Sequence, residues 1–444
     1  MLTQPTALTQ PTALTQPTAE KEPLGRLVKL YLMTSLLIVS TVSWRTGTYF
    51  SGSFDPVVVL KAAMSGIALV LAVFSLGGTR ARTPVGPRSV VLLTAFLATT
   101  CLGGWAADTA FASFVLAVRV AIIAAVMICL LRAYAVETVL DVVVKVMTGI
   151  AVLAVASTVA VAILRNLSHG LVGALAPSVR SLTSGRLAGG IPPLLPNELA
   201  FLCCVVILAL VWRVVEGNAR PRDWAEIAAL LVVVWLTGSR TGLATLVVAA
   251  ILMMLQTRKI TTTLFLGFVA LLPAGGYVLF ATNTLSSLFD RGGDQNVTTL
   301  SSRTIAWDAA LQFNVSWWQQ WFGGGLAMKR IPVVGQYWND QILDSSWISA
   351  LVQGGVVGLA IAALWVCTAM VASIYCDRRW RSLWLGLLTF LVSRSILESG
   401  LFDATPAFLI LMMVSVMSEK ASRTVGAPVV VVTPRRIGHL SVSR

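Results

Sequence analysis

Charge is scarce in this chain. Only 12% of its 444 residues are Asp, Glu, Lys or Arg, where a soluble domain carries roughly 25%. A surface with so little charge cannot all face water, and a soluble globular protein is excluded. Acidic groups are the scarcer sign, with 19 Asp and Glu against 33 Lys and Arg, a formal net charge of +14. In a soluble protein that excess would point to nucleic acid. Here the basic residues sit in short connections between apolar runs, so membrane topology explains most of them and no nucleic-acid partner is implied. Histidine is nearly missing: His169 and His439 are too far apart in sequence to mark a site together. The six cysteines, Cys101, Cys129, Cys203, Cys204, Cys367 and Cys376, form no CxxC pair and lie mostly inside apolar runs. They read as small core residues, and no metal site is legible.

What is abundant is hydrocarbon. Apolar residues make up 57% of the chain and mean hydropathy is +0.83. Runs long enough to cross a bilayer recur along the whole length. A window of about 20 residues predicts Leu27–Trp44, Pro56–Leu76, Ser89–Trp105, Ala110–Leu131, Val139–Leu164, Asn197–Trp212, Trp224–Leu236, Thr241–Leu255, Thr261–Ala281, Ser346–Val371, Leu383–Leu397 and Ala404–Met417. The expected fold class is an all-α polytopic membrane protein of about twelve spans. Residues 27–418 form the transmembrane domain, with the loop 282–345 inserted. Residues 1–26 open with three LTQPTA repeats and read as a disordered tail rather than a cleavable signal. Residues 419–444 form a basic tail.

Twelve spans place every basic connection on one side. Arg80–Arg88, Arg132 with Lys145, Arg213–Arg222, Arg258 with Lys259, and Arg378–Arg381 alternate with less basic segments, and both tails carry Lys and Arg. That side is the cytoplasm by the positive-inside rule, so both termini are expected there. Two external segments are long. Arg165–Pro196 contains Arg180 and Arg186, and Thr282–Ser345 contains Trp307, Trp317, Trp318, Trp321 and Trp338. So aromatic a loop is expected to fold and to touch the membrane surface.

Some charges work against this topology. Arg119 lies in the middle of a span, and an arginine there costs roughly 2.5–3.5 kcal/mol unless it faces a cavity or partner. Arg240, Arg303, Arg394 and Glu398 stand at or beyond the outer ends of spans. Snorkelling, interfacial anchoring or a structural ion pair would account for them one at a time. An anionic ligand accounts for the arginines together, because the guanidinium fork matches phosphate. Gly238-Ser239-Arg240-Thr241-Gly242 opens a helix, and a helix start with a neighbouring arginine is a local anion site. The same residues also fit a tight turn with a serine cap. Asn197 and Glu198, behind Pro196, fit either a helix cap or a sugar contact.

These motifs, taken in order, resemble the O-antigen ligase and Wzy-type polymerase family. Gly238–Gly242 resembles its SR(T/G)G signature, and Pro196-Asn197-Glu198-Leu199-Ala200 its PNELA-like helix start. Arg303, Trp307 and Phe322-Gly323-Gly324-Gly325 resemble its R…W…lfGvG loop pattern. Asp344-Ser345-Ser346-Trp347 with Gly354-Gly355-Val356-Val357-Gly358-Leu359 resembles the block that closes the loop. The resemblance implies a GT-C-type membrane glycosyltransferase. It would move a glycan from a polyprenyl diphosphate carrier to a glycan or envelope acceptor, outside the cytoplasmic membrane and without metal, nucleotide sugar or other cofactor. It implies Arg240 and Arg303 on the diphosphate. Arg119, Arg186, Asn197, Glu198, Ser239, Arg394 and Glu398 are expected around the substrate. Where family ligases usually carry His, this chain has Asp344. A carboxylate can take the acceptor's proton or contact a sugar, but cannot bind phosphate as a cation would, so Asp344 reads as base or sugar contact. The competing class is a transporter or flippase of a lipid-linked glycan, which twelve spans suit equally well. Such proteins often show two repeated halves, and the halves here share no obvious similarity.

Overall fold

The computed structural model describes residues 23–44, 56–77, 86–167, 186–256, 302–312, 316–332 and 340–426. Helices α1 (Leu24–Thr41), α2 (Pro56–Leu76), α3 (Pro87–Ala106), α4 (Ala110–Ala133), α5 (Val136–Leu167), α6 (Pro196–Val215), α7 (Pro221–Leu236) and α8 (Arg240–Leu255) come first. Then follow α9 (Ser302–Gln312), α10 (Trp317–Phe322), strands β1 (Arg330–Pro332) and β2 (Asp340–Ile342), and α11 (Ser346–Ile374), α12 (Arg378–Leu397) and α13 (Pro406–Gly426). In hydrocarbon every backbone N–H and C=O must be satisfied within its own segment, which is why the apolar runs become helices. The strands form one short antiparallel hairpin with Ile331 opposite Gln341, in the expected external loop.

Seven described helices are long and apolar enough to cross a membrane: α1 to α6 and α11. The protein is therefore a multi-pass membrane protein. The tally of twelve is not reached among the described residues. Helices α7 and α8 have only 16 residues each, and the expected span Thr261–Ala281 lies outside the described residues. Helix α12 is long, at 20 residues, but begins with Arg378 and Arg379.

Helix α6 is the axis of the bundle. Some 83% of its apolar window is buried inside the protein, against 17% for α2, and it packs on α5, α7, α8 and α12. A helix that is apolar all round belongs in such an interior position. Helix α2 instead shows Val59, Leu60, Ile67, Val70, Val73 and Phe74 on its outer surface, as lipid contact requires. At one end of the bundle Trp212, Trp380 and Trp384 stack at 4.8 and 5.2 Å. There the Arg379 guanidinium lies 5.5 Å from the Trp380 ring. At the same end, Glu419 accepts from the backbone N–H groups of Arg88 and Ser89, capping α3.

The segment between α8 and α11 is locked to the bundle by glycines. Gly355, at φ +63°, interrupts α11. The carbonyls of Val352 and Gln353 thereby accept from Gly324 and Gly325 N–H at 2.9 Å each. Gly323, at φ +73°, lies so close to α11 that a Cβ would meet the Gln353 carbonyl carbon at 2.3 Å. A Cβ on Gly103 would meet the Phe322 carbonyl oxygen at 2.0 Å. Thr109 Oγ1 donates to the Gly324 carbonyl at 2.7 Å, tying the same loop to the α3–α4 turn. Only residues without side chains let three backbones approach this closely.

Candidate functional site

At the other end of the bundle a cavity of about 570 Å³ opens where the end of α1, the starts of α2, α6 and α11, and the end of α12 meet. Three helix N-termini converge there, each presenting the positive end of its dipole. The lining carries five basic groups, Lys61, Arg119, Arg186, Lys329 and Arg394, and four acidic ones, Glu198, Asp344, Glu398 and Asp403. Asn197 lines it as well. Seven of the ten expected site residues thus share one space, although they come from five segments of the chain.

A relay of hydrogen bonds holds one wall. Arg186 Nε donates to the Thr237 carbonyl at 3.0 Å, and its Nη2 donates to Asn197 Oδ1 at 3.0 Å. Asn197 Nδ2 donates in turn to Glu398 Oε1 at 2.7 Å. Arg394 donates to the Asn197 carbonyl at 3.4 Å and lies 4.8 Å from the Phe201 ring centroid. With only 8% of its surface exposed, Arg394 is no interfacial anchor; it is a cation fixed inside the protein. Ser346 Oγ donates to the Glu398 carbonyl at 2.8 Å, and Trp347 Nε1 donates to Ser395 Oγ at 2.9 Å. These two bonds pin the residues that follow Asp344 to the end of α12.

The facing wall belongs to α1, α2 and α4. Arg119 Nη2 donates to the Ser40 carbonyl at 2.6 Å, while its buried Nε has no partner among the described residues. Arg119 therefore faces the cavity rather than lipid. Glu198 accepts from Ser43 N and Ser43 Oγ at 3.2 and 2.8 Å. Both oxygens bind the end of α1, and the carboxylate also takes a backbone hydrogen bond from Leu195 at the start of its own helix, so Glu198 both builds the wall and helps cap α6.

Three expected residues stand elsewhere. Ser239 is buried and its Oγ accepts from Gly242 N at 3.3 Å, which makes it the N-cap of α8. Arg240 is half-buried in the first turn of α8 and is not part of the cavity lining. The signature turn nevertheless borders the cavity, because the Arg186 side chain lies against Gly238, whose φ is +60°. Arg303 occupies the first turn of α9, and its side chain lies outside the described residues. Of the loop tryptophans, Trp317, Trp318 and Trp321 stay exposed on α10, and Trp338 lies outside the described residues.

Lys61, Lys329 and Asp403 were not among the expected site residues. Lys61 carried a usable signal, since a lone ammonium within an apolar run is marked by the same logic as Arg119. Lys329 and Asp403 carried none beyond being charged residues outside the spans. Their Nζ–Oδ1 ion pair is made across 74 residues of sequence. All six cysteines are thiols without disulfide partners, and Cys203 and Cys204 are buried in α6. Among the described residues no three His, Cys, Asp or Glu side chains form a metal-holding group.

Part of the chain is similar to a known protein family. Residues 227–363 match the family model Wzy_C, described as O-antigen ligase. No curated protein matches the chain. The matched segment runs from within α7, through the Gly238–Gly242 turn and the loop that carries Lys329 and Asp344, into α11. Over this segment, about a third of its length, the chain is similar to the O-antigen ligase family.

Proposed function

We propose that this protein transfers a glycan from a polyprenyl diphosphate carrier to a glycan or envelope acceptor at the outer face of the cytoplasmic membrane. The observation that carries this reading is the clustering of fixed guanidinium groups beside a carboxylate in one cavity at the end of a membrane bundle. The acceptor hydroxyl oxygen attacks the anomeric carbon and the bond from that carbon to the diphosphate oxygen breaks. The electron pair leaves with the diphosphate, and Asp344 takes the hydroxyl proton. Arg186 and Arg394 are held by hydrogen bonds before any substrate arrives. Donors that need no rearrangement are worth most where charge develops. Arg119 adds charge from the facing wall, and Arg240 and Arg303 would complete the diphosphate site from the matched segment. Asn197, Glu398 and Glu198 hold these groups in place.

In this reading the fold is GT-C-like with about twelve spans, both termini cytoplasmic and the cavity outward. Neither a metal ion nor another cofactor takes part, and the exposed tryptophans of α10 rest on the membrane surface. Purified protein given a polyprenyl-diphosphate glycan and an acceptor glycan should release polyprenyl diphosphate. Absence of release from active-site-intact protein would return the transporter reading to first place. Cysteines placed at Pro84 and Asn296 test the orientation: an impermeant thiol reagent applied from outside should label only the second.

A further inference from the structure

We propose that Lys329 and Asp403 are an exchangeable ion pair, in which Lys329 is a further anion ligand of the cavity and Asp403 holds it until a diphosphate takes the carboxylate's place. The proposal rests on the reading of the cavity as a diphosphate site. Neither residue lies in a signature motif. Lys329 follows the glycine-packed loop, and its backbone is fixed on both sides. Its N–H donates to the Ala327 carbonyl at 2.9 Å, and its carbonyl accepts from Leu343 N–H at 3.2 Å. The second bond sets Lys329 next to the strand end that carries Asp344. Asp403 sits in the turn between α12 and α13, where its carbonyl accepts from Thr405 N–H at 2.7 Å. Both side chains line the cavity, and they are only 16% and 20% exposed.

Burial makes this pair a switch rather than a surface ornament. Two charges partly removed from water are costly to separate when nothing replaces the partner. An empty cavity therefore keeps Lys329 neutralised. A diphosphate carries more negative charge than a carboxylate and presents several oxygens, so it competes effectively for an ammonium with three donors. Released Asp403 is not stranded. It lies within electrostatic reach of Arg119, whose buried Nε has no partner among the described residues. After exchange both members of the pair still face an opposite charge. The device gives the cavity a cation that engages only when the anion is present.

The test is titration calorimetry of the purified full-length protein in lipid nanodiscs, with inorganic pyrophosphate as the probe. Lys329→Met should weaken binding by roughly tenfold or more, the loss of one hydrogen bond to a charged group. Lys329→Arg should bind nearly as the wild type does and shows that the position tolerates substitution. Asp403→Asn should bind at least as tightly as the wild type, because the competing anion is gone. A purely structural clasp predicts the opposite: Lys329→Met and Asp403→Asn would weaken binding alike, and that result overturns the proposal. Unchanged binding by Lys329→Met overturns it too. A wild type that binds no pyrophosphate removes the diphosphate reading itself, and this proposal with it.

Discussion

Replacing Arg394 with Met separates a catalytic cation from a structural one. Methionine fills a similar volume and keeps the side chain apolar inside the bundle. What is lost is a 3.4 Å hydrogen bond to the Asn197 carbonyl, a guanidinium 4.8 Å from the Phe201 ring, and the attraction of the nearby Glu398 and Glu198 carboxylates. A hydrogen bond from a charged donor contributes about 1.5–3 kcal/mol, and at this length the low end of that. A cation–π contact adds about 0.5–2 kcal/mol. Against these stands the cost of keeping a charge in a site only 8% exposed, which is several kcal/mol on general grounds. The terms oppose one another, so the folded protein should survive with its unfolding temperature shifted by only a few degrees. Transfer should suffer far more. Loss of one fixed donor to a developing charge costs about 2.7–4 kcal/mol, or a hundred- to a thousandfold in rate. Arg394→Lys should recover part of the rate, since it restores charge without the bidentate fork. The assay is release of polyprenyl diphosphate at saturating donor, with thermal unfolding of the same preparations in detergent. If Arg394→Met transfers within threefold of wild type while remaining folded, the guanidinium is packing material and the reasoning is wrong.

Arg240→Ala should lower transfer by a similar hundred- to thousandfold while the helix it opens survives, because the cap belongs to Ser239; activity and circular dichroism together check this. Asp344→Ala should reduce turnover more than donor binding. Asp344→Asn should be as slow as Ala if the carboxylate takes the proton, and near wild type if it only touches a sugar; single-turnover rates against donor affinity distinguish the two. Gly103→Ala should destabilise the protein by about 1–3 kcal/mol or more, since its Cβ would meet a backbone oxygen at 2.0 Å. Thermal unfolding should show the drop, and an unchanged midpoint would mean that the loop is not seated on α3 as described.

The sequence by itself determined the membrane class, because a chain that is 57% apolar and 12% charged has no other stable solvent. It also determined most helix positions, since lipid leaves an apolar run little choice but helix. The signature turn and the Asn197–Glu198 helix start were legible for a local reason: caps, glycines and prolines act on their own neighbours. Lone buried cations such as Arg119 announced themselves by their cost. The tertiary structure alone decided which charges meet. Asn197 and Glu398 bond across 201 residues, and Lys329 finds Asp403 across 74. Helices that are apolar all round carry no stripe to show which face turns inward, so their rotation and their neighbours are set by packing. The glycine contacts of Gly103, Gly323 and Gly355 do much of that setting. They bring the segment between α8 and α11 down onto α3 and α11, and so place Lys329 and Asp344 at a cavity that no local pattern in the chain describes.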